Sequence, residues 1–286
     1  MILITGATGT TGSEIVRQLA GRDIKVRAMV RDPSKVGNWG DVEVVTADFD
    51  KPDTIRTALK GVERVYLVTP PGENMKRRQL DFIDIAVKSG VKRIVRLSVI
   101  GAGDADRILL NEHNKLDEKL INSGLDYVIL RPNFFMQNLF AVSDTIRENG
   151  VIHYPAGEAK VSMVDVRDIA SVAVEALVTD DYLGRSLDIT GPEAITFTEV
   201  AEHIGYVDGK DVKFVDVPPD KAIKAMIDSG MTEWMAKGLV DLFDGYKMGI
   251  GDKVTDTVRE ITGEEPISFR QFVIDHGSML DGKKVA

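Results

Sequence analysis

The 286-residue chain carries 36 lysines and arginines against 45 aspartates and glutamates, and a net charge of −9 excludes a broad nucleic-acid surface while leaving room for one local basic pocket. It has no cysteine, so disulfides, thiolate nucleophiles and sulfur-ligated metals are excluded, and its histidines, His113, His153, His203 and His276, lack metal-ligand spacing; no metal is expected. No apolar run reaches the length of a membrane span and an apolar strand begins at Met1, so a cytoplasmic protein with no membrane or nucleic-acid partner is the expectation.

Residues 1–5 form the first apolar strand and run straight into Gly6-Ala7-Thr8-Gly9-Thr10-Thr11-Gly12, after which residues 13–20 repeat apolar positions at helical spacing. A strand, a glycine turn and a helix starting near Gly12 make a site for a dinucleotide pyrophosphate. The phosphates need a turn without side chains, outward N–H groups and the positive end of a helix. Gly6 allows the tight turn, Gly9 the close approach of backbone to phosphate, and Gly12 the packing of helix on strand. Thr8, Thr10 and Thr11 complete that loop. The spacing is G-x-x-G-x-x-G, not the standard G-x-G-x-x-G, and glycines alone mark turns in every fold. Context decides for the dinucleotide.

A second strand over residues 25–30 leads to a turn at 31–35, with Pro33 suited to open a short helix. A third strand at 42–46, a helix at 52–59 and a fourth strand at 64–68 follow, and Thr69-Pro70-Pro71-Gly72 ends that strand. A helix over 74–89 is closed by Gly90. Next come a fifth strand at 93–97 running to Ser98, a helix at 110–122 and a strand at 127–130. Alternating elements with apolar strands imply a parallel sheet covered on both faces. Beyond Arg131 we expect a helix through 135–147, a short segment at 151–154, a helix capped by residues 165–168 and running to 177, and a seventh strand at 186–190. From Gly191 the pattern is mostly helical, with Thr196 and Glu199 as a capping box. The expected fold is α/β: a doubly wound, mainly parallel Rossmann sheet over 1–133 and 165–190. A smaller, mostly helical C-terminal lobe over 134–164 and 191–286 would lie on the substrate side.

Arg31 ends the second strand, about 20 residues past the glycine turn, where an acid normally takes the ribose 2′-hydroxyl of NAD. An arginine there can hold the 2′-phosphate of NADP, and Lys35 can add a second charge. NADP(H) is therefore favoured over NAD(H), although Asp32 in the same turn leaves NAD open. Both cations have a bland alternative as solvated surface charges. Asp48, after the third strand, can reach the adenine or simply shape a turn. Thr69 and Pro70 lie on the expected cofactor path and also terminate a strand.

After Ser98, the next helix opens with Asn111-Glu112-His113-Asn114-Lys115-Leu116-Asp117. The glycine turn, strand order and Ser98 resemble the short-chain dehydrogenases/reductases. That family's Tyr-x-x-x-Lys pair is replaced here by His113-x-x-x-Asp117. The closer resemblance is to the atypical NmrA-like proteins and triphenylmethane reductase-type NAD(P)H reductases. It rests on Thr5-Gly6-Ala7-Thr8-Gly9-x-x-Gly12, on Val26-Arg27-Ala28-Met29-Val30-Arg31-Asp32, on the run from His113 through Ser123-Gly124-Leu125-Asp126-Tyr127 and Arg131-Pro132 to Asn138, and on Ile261-Thr262-Gly263-x-x-Pro266 with Phe269. It implies that Arg131, Pro132, Asn133 and Phe134 bring backbone and aromatic surface beside the nicotinamide, Phe134 being equally a packing residue. Ser98 and His113 are the candidate catalytic pair, with Asp117 biasing His113 toward its charged form; a helix-start histidine holding backbone is the even alternative.

A missing tyrosine narrows the substrate. A simple ketone needs a proton at its developing alkoxide, whereas a quinone or delocalised cation does not need a strong enzymic acid. The expected activity is NAD(P)H-dependent hydride transfer to a small conjugated, aromatic or quinone-like acceptor bound beneath the C-terminal lobe, by a monomer or homodimer. The rival is a non-enzymatic NADP(H) sensor of the NmrA-like type. A sugar-nucleotide epimerase would require the absent Tyr-x-x-x-Lys.

Overall fold

A computed structural model of the protein describes residues 1–104 and 106–280. The chain begins β1 (Ile2–Ile4), α1 (Thr10–Leu19), β2 (Val26–Val30), β3 (Glu43–Thr46), α2 (Pro52–Ala58), β4 (Arg64–Leu67) and α3 (Met75–Lys88). It continues with β5 (Arg93–Leu97), α4 (Ile108–Ile121), β6 (Asp126–Pro132), α5 (Ser143–Asn149), β7 (Val151–Tyr154), β8 (Lys160–Val161), α6 (Val166–Val178) and β9 (Arg185–Ile189). The remainder is β10 (Ile195–Thr196), α7 (Phe197–Asp208), β11 (Lys213–Asp216), α8 (Pro219–Asp228), α9 (Glu233–Lys247), α10 (Thr257–Thr262) and α11 (Phe269–Leu280). Two compact units divide the chain, the first of residues 1–102, 111–131 and 166–187, the second of 103–110, 132–165 and 188–286.

The first unit is built on a seven-stranded sheet of order β3-β2-β1-β4-β5-β6-β9, and every registered pair from β3 to β6 is parallel. This is the doubly wound α/β arrangement expected from the alternating pattern. Its central strands bury Leu3, Ile4, Val65, Leu67, Ile94, Val95 and residues 128–130 completely, as strands covered on both faces must. Two strand arginines close the far end of a helix. Arg64 Nη1 donates to the Leu177 carbonyl at 2.8 Å, and Arg93 Nη1 to that of Ala176 at 3.1 Å, satisfying acceptors that α6 leaves open at its C-terminus.

The second unit holds the aromatic core of Phe134, Tyr154, Phe197 and Phe243, in edge and tilted contacts. Its short strands pair as β7 with β11, parallel, and β8 with β10, antiparallel. The Thr196–Glu199 capping box forms as expected. The second unit is nearly as long as the first, the smaller of the two by a narrow margin. Two expectations need correction. The helix read over 135–147 is a 3₁₀ stretch, Met136–Val142, followed by α5, because Phe135 is extended and supplies no side-chain cap. Residues 103–110, read as part of the Rossmann core, belong to the second unit, where Arg107 Nη1 donates to both the carbonyl and the carboxylate of Asp241.

Candidate cofactor and active site

Thr5 ties the end of β1 to the end of β4: its hydroxyl donates to the Tyr66 and Val68 carbonyls at 3.0 and 2.9 Å and accepts from the Val68 N–H at 2.9 Å. The chain then turns at Gly6, whose φ of +57° lies in the left-handed region and whose added Cβ would meet Val68 Cγ1 at 2.7 Å. The helix starts at Thr10, earlier than the expected Gly12, with Gly9 as its cap and no side chain covering its end. Among the described residues, no partner takes the N–H groups of Thr10, Thr11 or Gly12, while that of Ser13 bonds to the Gly9 carbonyl at 2.9 Å. Gly12 is packed against the turn itself, since a Cβ there would stand 2.2 Å from the Gly6 oxygen. Thr8, Gly9 and Thr10 are exposed. Open donors, a positive helix end and absent side chains fit a pyrophosphate. Thr11 differs from its neighbours: it is buried and its hydroxyl accepts from Tyr66 at 3.0 Å, so only its backbone faces such a ligand.

β2 lies beside β1 in parallel, so Arg31 follows the strand adjacent to the glycine turn. Arg31 and Lys35 are exposed, and among the described residues neither side chain makes a hydrogen bond or ion pair, although the Lys35 N–H donates to the Asp32 carbonyl at 3.3 Å. Asp32 is engaged locally, with its carboxylate accepting from the N–H and hydroxyl of Ser34 at 3.0 and 2.7 Å; these bonds hold it below the usual carboxylate range. Asp48 shapes its own turn by accepting from the Asp50 N–H at 3.0 Å. Thr69 is buried and accepts from Gln79, while Pro70 is exposed.

The centre of the first unit is a continuous polar network at the ends of β5 and β6. Arg96 is fully buried; its Nε donates to Gln79 Oε1 at 2.8 Å, its Nη1 pairs with Asp117, and its Nη2 lies 3.1 Å from His113 Nδ1. Gln79 passes the chain on to the Thr69 hydroxyl at 3.0 Å. Asp117 Oδ2 accepts from the Ser98 hydroxyl at 3.0 Å and from Arg131 Nε and Nη2 at 3.2 and 3.0 Å. Ser98, His113, Thr69 and Arg131, all named from the sequence, are thus joined through Asp117 and through two residues that sequence reasoning passed over, Arg96 and Gln79. The available signal was the pair of arginines inside a strand destined for burial on both faces.

The network corrects the electrostatics expected of His113. Asp117 is taken by two arginines and a serine, so it does not charge the imidazole. Burial, and then the positive Arg96 beside it, hold His113 well below the usual histidine value. Burial also lowers Arg96, to about 10, which leaves it charged at neutral pH. The Ser98 proton is committed to Asp117, so its oxygen can accept but not donate toward a ligand. Tyr66, the tyrosine bonded to the glycine-turn helix, is buried and holds its proton far above neutral pH.

Pro132, Asn133 and Phe134 belong to the second unit. Asn133 is saturated there: its amide donates to Ser162 Oγ and the Gly251 carbonyl at 2.8 and 2.9 Å, and its oxygen accepts from the Phe134 N–H at 2.9 Å. Phe134 packs in the aromatic core. Both side chains are therefore engaged within the second unit, the packing alternative already read for Phe134. No group of histidine, aspartate and glutamate suited to a metal occurs among the described residues, and no helix among them is long and apolar enough to cross a membrane.

A family model described as NAD(P)H-binding matches residues 6–180. The NAD(P)H azoreductase of Xenophilus azovorans is 34% identical over 281 residues, covering 97% of this chain and 98% of that protein. The prestalk A differentiation protein A of Dictyostelium discoideum is 35% identical over 290 residues, covering 98% and 94%. Among solved structures, an NADPH-dependent quinone oxidoreductase from Escherichia coli, complexed with NADPH, matches with a TM-score of 0.87 at 25% identity, covering 96% of this chain and 99% of that one. The chain belongs to the NAD(P)H-binding family.

Proposed function

We propose that the protein is an NAD(P)H-dependent reductase that delivers hydride to a small conjugated, aromatic or quinone-like acceptor, with NADP(H) preferred over NAD(H). One observation carries the reading: a pyrophosphate-ready helix end shares a compact unit with a polar network in which Ser98 gives its proton to Asp117 and Arg96 stands against His113 Nδ1. When bound, the reduced cofactor supplies a hydride, that is two electrons with one hydrogen, and a proton from water completes a quinone's reduction to the hydroquinone. The backbone from Thr8 to Gly12 holds the pyrophosphate. Arg31 and Lys35, whose side chains make no ion pair among the described residues, take the 2′-phosphate, and Asp32, engaged by Ser34, is withdrawn from the ribose. Asp48 borders the adenine, Thr69 and Pro70 flank the path, and the backbone of Arg131 and Pro132 borders the nicotinamide. Ser98 accepts a hydrogen bond from the carboxamide. An acceptor that spreads its negative charge needs orientation more than acid, which this centre provides. The named azoreductase and quinone oxidoreductase relatives agree with that acceptor class.

The test pairs fluorescence titration of NADPH and NADH with cofactor consumption across quinones, cationic dyes and enones. We expect turnover with several acceptors and tighter binding of NADPH. Arg31→Ala should weaken NADPH about tenfold or more, as loss of a charge-assisted contact does, and leave NADH nearly unchanged. Equal loss for both cofactors contradicts the role of Arg31. Tight binding without turnover favours a nucleotide sensor, the reading that suits the Dictyostelium relative named for differentiation.

A further inference from the structure

We propose that Arg96 is a positioning residue that fixes His113 as the neutral Nε2–H tautomer, so that His113 serves a quinone-type acceptor as a hydrogen-bond donor to its carbonyl oxygen. The inference rests on the reductase reading above for the identity of that oxygen, but the tautomer follows from geometry alone. A guanidinium has only donors. With Arg96 Nη2 3.1 Å from His113 Nδ1, Nδ1 must present its lone pair, and the single proton of a neutral ring then sits on Nε2. Arg96 cannot rotate away. It is fully buried, Gln79 holds its Nε, Asp117 holds its Nη1, and the histidine takes its Nη2.

The surrounding charges agree. From β5 comes Arg96, from β6 Arg131, and from the histidine's own helix Asp117, whose carboxylate is divided between those two arginines. The other ion pairs on that helix, Glu112 with Lys76 of α3 at 2.8 Å and with Lys115 at 3.7 Å, and Lys119 with Asp84 of α3 at 2.6 Å, are self-compensated. His113 is only half-buried, although the edge against Arg96 is inside. Since Ser98 gives its proton to Asp117, its hydroxyl is closed to a ligand as a donor, whereas His113 Nε2 keeps one. A neutral donor stabilises a developing partial charge without itself ionising.

The test is long-range proton–nitrogen NMR on isotope-labelled histidine side chains of the full chain, with His113 assigned by its loss in His113→Gln. We expect one histidine in the Nε2–H form, unchanged between about pH 5 and 8, and the same ring becoming titratable in Arg96→Met. A protonated Nδ1, or a titration near the ordinary value in the wild type, overturns the proposal. If Arg96→Met does not fold, the wild-type spectrum decides by itself. For the acceptor contact, His113→Ala should lower kcat for a quinone about two- to tenfold, the size of one neutral hydrogen bond, with NADPH affinity kept. His113→Gln, which restores an N–H near the Nε2 position, should recover most of that loss. Equal losses in the two variants would overturn the donor role. Absence of turnover in the wild type would sink the reductase reading and, with it, the contact, while the spectrum still reports the tautomer.

Discussion

Asp117 is a buried carboxylate between two arginines, with Ser98 donating to the oxygen that also receives Arg131. Its neighbour Arg96 has no exposure, so Asp117 is the countercharge that allows a guanidinium to stand in a central strand. Removing one partner of such a pair strands the other in a low-dielectric interior. Asp117→Ala should therefore cost about 3–5 kcal/mol, read as a lower urea midpoint at neutral pH. A loss below about 1 kcal/mol, the range of surface pairs, would mean that water reaches Arg96. The placement of Ser98 and His113 was legible in the sequence because one follows a strand and the other lies in the next helix, which starts earlier than expected, at Ile108. The spacing of His113 and Asp117 correctly put them on one helix face. Their charges were not legible, since the competing arginine arrives from β5, which reads as an apolar run if its two arginines are overlooked. Whether Asn133 and Phe134 pack was not legible for a related reason. A proline-terminated strand end looks the same whether the next residues face a ligand or a core.

The strand–turn–helix at the N-terminus is the element to which we assign cofactor binding. Its glycines are not equivalent: Gly6 supplies a positive φ, whereas Gly12 supplies empty space beside the Gly6 carbonyl. Gly12→Ala would drive a methyl to 2.2 Å from that oxygen, so the turn must move and with it the open N–H groups. We expect NADPH binding to fall at least about tenfold, together with an overpacking cost of about 1–3 kcal/mol. Isothermal titration and urea unfolding check the two halves. Retained affinity would show that the phosphates are held elsewhere. The six β–α repeats were legible because each buried strand is a short apolar run and each helix keeps its period. The elements of the second unit were less so. β8 and β10 are two residues each, too short to show alternation, and β11 is largely exposed. A 3₁₀ stretch such as Met136–Val142 has apolar spacing close to that of an α-helix and differs in its hydrogen bonding.

At the scale of the whole molecule, the titrating groups set two pH windows for stability. His113 is held below its ordinary value in the folded protein, so below about pH 6.5 the unfolded chain binds a proton that the fold resists. Its contribution is full above that pH and declines as pH falls. Glu199, held down by the Thr196 N–H and hydroxyl, and Asp180, held down by Arg93, act lower. Their contributions are present above their ordinary values of 4.5 and 3.8 and are lost as acid protonates them in the folded state. Urea midpoints should thus decline in two stages on acidification, and His113→Gln should remove the first. A first stage that persists in that variant would assign it to another group. The division of the chain into two units was anticipated, but their near-equal length was not. Residues 103–110 run from the connection after β5 into the first turn of α4, and the Arg107–Asp241 pairing that binds this segment into the second unit has no local sequence signature.

The central claim is that hydride passes directly from NADPH to a conjugated carbon or quinone acceptor. Its most direct test uses NADPH deuterated at the nicotinamide C4 position, with a cationic triarylmethane dye and a conjugated enone as acceptors, because both retain transferred hydrogen on carbon. Mass spectrometry of the reduced products should find one deuterium per molecule, delivered from one face of the cofactor only. Reduced product without deuterium, or no product despite tight NADPH binding, would contradict the account.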